Sequence, residues 1–138
     1  MTDKAQDKYL YKHYGVSLAW YNETLQKQNG GCKICGSRPI TRSLPVDHDH
    51  KARYIKVAAR KMFGTWVVEA EYRGQGFCFH GFKKRNEAVR YMRDSLKRAS
   101  VRGIICVGCN TGIRKFRDTP QFLESAAKYL REHYFRFN

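Results

Sequence analysis

Leu44-Pro45-Val46-Asp47-His48-Asp49-His50 sets four residues able to bind metals or move protons in a row, behind a short apolar run. Two cysteine pairs bracket this stretch, Cys32-Lys33-Ile34-Cys35 before it and Cys106-Val107-Gly108-Cys109 after it, and Asn110 follows the last cysteine directly. Each CxxC places two thiolates on one tight turn, and two such turns complete a tetrahedron around zinc. Protein then fills all four positions at Cys32, Cys35, Cys106 and Cys109, so the expected zinc is structural and leaves no place for a reacting water.

In a regular strand Asp47 and Asp49 face one way and His48 and His50 the other. Asp47 and His48 can therefore serve one site only where the strand ends or distorts. Asp47 and the Asn110 amide oxygen are hard donors suited to Mg²⁺ or Mn²⁺. His48, with an ordinary pKa of about 6.5, can take a proton from water near neutral pH. A metal-stapled scaffold that holds Asp, His and Asn near one point suggests hydrolysis of a phosphodiester.

The 138 residues suffice for one domain, or for one small domain carrying an insert. The formal charge is +15, and it stays strongly positive after four thiolates and one Zn²⁺ are allowed for. Such a charge implies a polyanionic partner whose affinity falls steeply with salt. A membrane surface is the rival polyanion, but no apolar run approaches the roughly 18 residues of a spanning helix. The N-terminus lacks the basic, apolar and small-residue order of a signal peptide. An intracellular location with reduced thiols is expected, which favours a metal site over disulfides. Residues 51–100 hold thirteen basic and four acidic groups, against seven and five in residues 1–50. The middle of the chain is thus its main electrostatic footprint.

Residues 4–14 read as a helix ended by Gly15. Ser17 caps a second, stopped by Gly30-Gly31. Tyr9, Tyr14, Trp20 and Tyr21 read as core. Strands are expected from Val46 and over Val101–Cys106, a helix over Asn110–Phe116, and a last helix capped by Thr119 with Pro120 first. His13 and His133 read as surface or packing residues. Residues 52–99 form a different unit, with strands over Tyr54–Arg60, Gly64–Tyr72 and Phe77–His80, a turn at Arg73–Gly76, and a helix capped by Asn86. Cys78, without a CxxC partner, reads as packing. Seventy residues separate Cys35 from Cys106. Removing a unit of about 50 leaves about twenty, the spacing of ordinary four-cysteine zinc sites. The fold class is α+β.

Several stretches together resemble the recombination endonuclease VII family of the His-Me finger (ββα-metal, HNH-like) nucleases. They are Tyr14–Leu18, Gln28–Gly36, Val46–His50, Val101–Gly112 and Phe116–Pro120. The resemblance implies a zinc-stapled ββα core with flanking helices, built from residues 1–51 and 100–138. It implies Asp47 and Asn110 as holders of one catalytic Mg²⁺ or Mn²⁺, His48 as general base, and His50 assisting at the phosphate or metal. Products would end in 5′-phosphate and 3′-hydroxyl. The location would be the host cytoplasm if the protein is phage-encoded. Residues 52–99 resemble the ethylene-response-factor type of DNA-binding domain, which implies a three-stranded sheet against double-stranded DNA. Lys56, Arg60, Lys61 and Arg73 are the expected contacts on that surface.

The favoured function is a metal-dependent DNA endonuclease of the homing or nicking kind. The alternatives are a Holliday-junction resolvase, a non-catalytic zinc DNA-binding protein, and an RNA-binding or RNA-cleaving protein. A non-catalytic binder needs none of Asp47, His48 and Asn110. Cutting both strands would require two active sites, hence a homodimer or sequential nicking.

Overall fold

A computed structural model describes residues 2–134. Helix α1 (Asp3–Tyr14) ends at Gly15, whose φ of +70° suits a left-handed C-cap that glycine takes without strain. Helix α2 (Leu18–Lys27) starts where the Ser17 hydroxyl accepts from Trp20 N over 3.1 Å. Asp7 Oδ1 accepts from Leu18 N over 2.7 Å and fixes the angle between the two helices. Leu10, Val16 and Tyr21 then meet Leu44, Val46, Ile104 and Ile105 in one hydrophobic cluster. The Tyr21 hydroxyl donates to Leu44 O over 2.8 Å, so this buried ring keeps its polar atom satisfied. Tyr14 and Trp20 pack against the cluster as expected, whereas Tyr9 stands 46% exposed.

Strand β1 (Val46–His48) pairs antiparallel with β5 (Val101–Ile104). The helix that follows β5 completes a strand-strand-helix unit. That helix, α4, runs Val107–Lys115 and begins three residues before the expected Asn110, because the second CxxC turn is itself its first turn. Helix α5 (Pro120–Tyr134) starts at Pro120 as expected. The side chain of His133 lies outside the described residues.

Between β1 and β5 the chain forms a 3₁₀ helix (His50–Tyr54), strands β2 (Ala58–Met62), β3 (Thr65–Tyr72) and β4 (Gln75–Phe82), and helix α3 (Arg85–Ser100). The expected strand over Tyr54–Arg60 is displaced toward the C-terminus: Asp49 caps the 3₁₀ turn and uses the residues up to Tyr54 there. Strands β2, β3 and β4 form an antiparallel sheet in that order. Each hairpin loop has two residues, Phe63-Gly64 (φ +47° and +83°) and Arg73-Gly74 (+53° and +74°). Positive φ at both positions matches the right-handed twist of the flanking strands.

The sheet lays Ala59, Trp66, Val68, Ala70, Phe77 and Phe79 on α3. Ala88, Met92 and Leu96, one helical turn apart, are 0–1% exposed. Burying side chains such as Met92 and Leu96 contributes roughly 1.5–3 kcal/mol each. This second cluster is distinct from the first. Two expectations fail here. Lys84, not Asn86, occupies the N-cap of α3, and Asn86 Oδ1 instead accepts from the neighbouring Glu87 N. Cys78 is exposed rather than packed, because Phe77 and Phe79 take the face of β4 that meets α3.

The ends of the intervening segment meet. Asp49 N donates to Ser100 O over 2.9 Å, and α3 runs without a loop into β5. Helix α3 also leans on α1. A Cβ at Gly15 would come within 2.7 Å of Arg98 Cγ and 3.1 Å of Asp94 O, and Lys97 Nζ donates to Lys12 O over 3.4 Å.

Candidate active site and metal centre

The four expected cysteines converge. Their sulfurs all lie within 4.8 Å of one another, and Cys35 Sγ is 3.7 Å from Cys106 Sγ. Tetrahedral Zn–S bonds of about 2.3 Å separate sulfurs by about 3.8 Å, so this cluster fits zinc. Backbone amides prepare the ligands: Ile34 N donates to Cys32 Sγ and Cys109 N to Cys106 Sγ, each over 3.4 Å. The thiols hydrogen-bond one another and so compete for protons. Ser37, through its side chain and backbone, together with the neighbouring thiols pulls Cys35 down to about 6. Burial and the other thiols push Cys109 up to about 12. A dication removes that conflict by binding all four as thiolates. The Gln28 side chain joins the first CxxC turn to β5: its Nε2 donates to Gly31 O and Ile104 O, and its Oε1 accepts from Ile104 N.

The β1–β5 ladder carries a bulge beside Asp47 and His48, on the β5 side. Val46 pairs with Ile104 and Asp47 with Gly103, but His48 pairs with Val101. Arg102 is therefore left without an opposite residue. Such a bulge re-aims a side chain, and Arg102 turns onto Asp47. Its Nε meets Oδ2 at 2.7 Å and its Nη2 meets Oδ1 at 2.9 Å. The same Nη2 reaches Asp118 Oδ1 at 3.2 Å, tying the segment after α4 to β1. Gly103, at φ +152°, sits where a Cβ would crowd Lys33 Cδ (3.2 Å) and Gln28 Oε1 (3.3 Å).

His48 is half-buried, edge-on to Tyr14 with 5.3 Å between ring centroids and tilted against His50 at 4.4 Å. Burial, seconded by the facing His50, lowers its pKa below the ordinary value, and nearby Asp47 opposes this only in part. His48 is thus neutral at pH 7 and able to accept a proton. His50 is oriented by Arg53, whose Nη2 lies 3.2 Å from Nδ1.

Asp49, between the two histidines, is buried and structural. Burial pushes its carboxyl up, but Lys51 N, the Tyr72 hydroxyl and Arg73 outweigh this and hold it below the usual range. Tyr72 Oη donates over 2.9 Å, and Arg73 Nη2 and Nε over 2.9 and 3.2 Å. Tyr72 is correspondingly pushed up to about 12, by burial and by Asp49. Arg73, expected on a DNA surface, is thus engaged on the segment Asp47–His50. Arg60 pairs with Glu69 at 3.0 Å, while Lys56 and Lys61 are exposed.

His48 and His50 open on a cavity of about 190 Å³, walled also by His13, Arg53, Arg93 and Lys97. Neither Asp47 nor Asn110 lines it. Asn110 sits in the first turn of α4, half-buried, and its side chain makes no hydrogen bond among the described residues. The sequence reading missed His13, Arg53, Arg93, Lys97, Arg102 and Asp118. Of these only Arg102 carried a local signal, as a charged residue in an otherwise apolar strand.

No helix among the described residues is long and apolar enough to cross a membrane. Residues 7–132 match the family model described as recombination endonuclease VII. No curated protein and no solved structure matches the chain.

Proposed function

The chain belongs to the recombination endonuclease VII family and is a DNA endonuclease, and on that premise we propose that it hydrolyses phosphodiesters with a divalent metal at the segment Asp47–His50. The observation that carries this reading is His48: half-buried, below its ordinary pKa, and packed against His50 in the wall of an open cavity. His48 takes a proton from water as the water oxygen bonds to phosphorus. The bond from phosphorus to the 3′ oxygen breaks, and the leaving oxygen takes a proton from solvent water, giving 5′-phosphate and 3′-hydroxyl ends. His50, held by Arg53, assists at the phosphate.

Asp47 and the Asn110 amide are the oxygen donors that would hold Mg²⁺ or Mn²⁺. Their chemistry fits. Each Asp47 oxygen takes one hydrogen bond from Arg102 and keeps further lone pairs, and the Asn110 amide has no competing partner among the described residues. The bound ion supplies charge stabilisation at the phosphate and the leaving oxygen.

Residues 52–99 act as a DNA-binding module within a nuclease domain of residues 1–51 and 100–138. Lys56, Arg60 and Lys61 offer its contacts to duplex DNA, and the bonds from Tyr72 and Arg73 to Asp49 connect that surface to the catalytic segment. A built-in groove-binding surface favours a site-preferring homing or nicking enzyme over a junction resolvase, which reads shape. Sequencing the cleavage ends from a mixed pool of duplexes and four-way junctions tests this. A shared sequence around the cuts is expected. Cuts confined to junctions would establish the resolvase instead, and an uncut pool would leave a zinc DNA-binding protein.

A further inference from the structure

We propose that Arg93, on helix α3 of the intervening segment, binds a backbone phosphate of the DNA at the His48–His50 cavity. The inference rests on reading that cavity as the nuclease site and adds a residue that the strand-strand-helix unit does not contain.

Arg93 walls the cavity together with both histidines. Its guanidinium is anchored at one corner only: Nη1 donates to Ile55 O over 2.7 Å and to Arg53 O over 3.3 Å. Nε and Nη2 make no hydrogen bond within the chain among the described residues. The fork is thus pre-oriented and still has donors free for an anion. A half-buried arginine arranged in this way loses little further freedom on binding a phosphate, and it can bind bidentately. No carboxylate neutralises it. Asp94, the adjacent acid, is taken by Lys97 at 2.8 Å, and Asp49, the acid of the same cavity, is held by Arg73 and Tyr72. Of the other basic residues of the wall, Lys97 is taken by Asp94, and Arg53 lends its Nη2 to His50. Among the described residues Arg93 thus meets no carboxylate, and its free Nε and Nη2 are available to an anion. Its anchoring carbonyls belong to the segment just after His50, so a phosphate bound there is located relative to the histidines.

The test measures binding of a short DNA duplex without added divalent metal, so that no cleavage intervenes. Arg93→Gln should flatten the slope of log affinity against log salt by about 0.9, the loss of one phosphate contact. Arg93→Lys should restore the slope, since a point charge suffices for counterion release. With metal added, Arg93→Lys should still cleave more slowly, on the order of 10²-fold, because the bidentate fork is gone. In the wild-type protein the Arg93 Nε–H resonance, assigned by its absence from the Arg93→Lys spectrum, should move when the duplex is added. That readout decides alone if Arg93→Gln does not fold. An unchanged slope in folded Arg93→Gln, or a resonance indifferent to DNA, overturns the inference. Both are read without catalysis, so a protein that binds DNA but never cuts it refutes the nuclease-site reading and leaves this result standing.

Discussion

Arg102 grips Asp47 with two parallel hydrogen bonds of 2.7 and 2.9 Å because it is the residue skipped by the β1–β5 ladder. The bulge lies on β5, and it places a cation on Asp47, a residue that is only 7% exposed. Arg102→Gln leaves that carboxylate without a counter-charge and should cost about 3 kcal/mol. If Asp47 holds the catalytic metal, added Mg²⁺ should raise the melting temperature of Arg102→Gln more than that of the wild type, since binding to the native state stabilises by mass action. Equal shifts would place the metal elsewhere.

The contact between Tyr72 and Asp49 makes the second prediction. Tyr72→Phe removes one buried hydrogen bond to a charged group and should lower stability by about 1.5–3 kcal/mol. Denaturant unfolding at neutral pH reads this directly, with an unchanged m-value.

Asp49 also predicts a pH dependence. Its folded pKa lies below the unfolded value of about 3.9, so its contribution is fully present above pH ~4 and is lost as pH falls through the folded pKa. Asp49→Asn should therefore be less stable than the wild type at pH 6, with the gap closing under acid. Subtracting the two curves cancels the common loss of zinc. A gap that widens on acidification would contradict the assignment.

Metal analysis should find one zinc per chain, and Cys106→Ser should lower stability by several kcal/mol, since structural zinc in small domains contributes on the order of 10 kcal/mol or more. Folded, active protein without zinc would remove the centre from the account.

What the sequence disclosed follows from where the determining physics lies. The cysteine set was readable because ligand spacing on a tight turn is local chemistry, and the Ser17 cap because one hydroxyl serves an amide three residues on. That Asp47 and His48 share one face only where β1 ends or distorts was readable from alternation, and the bulge beside them lies on β5 instead. The grip of Arg102 on Asp47 was not readable, because a bulge belongs to the pairing of two strands and the two residues are 55 positions apart. Arg93 and Lys97 reach the cavity on a helix whose apolar period reports only its other face. Arg73 looked like a free cation in a turn, and only the register of β3 against β4 turns it to Asp49. The onset of α4 was misplaced because its first turn is also the second CxxC turn.

The central claim is that His48 is the base of a metal-dependent cut, and nicking of supercoiled plasmid tests it most directly. Wild-type protein should nick with Mg²⁺ and not without it. His48→Ala should bind the same DNA within a few-fold yet cut more slowly by about 10²–10⁴. Wild-type nicking by folded His48→Ala, or nicking by wild-type protein that is indifferent to Mg²⁺, would contradict the account.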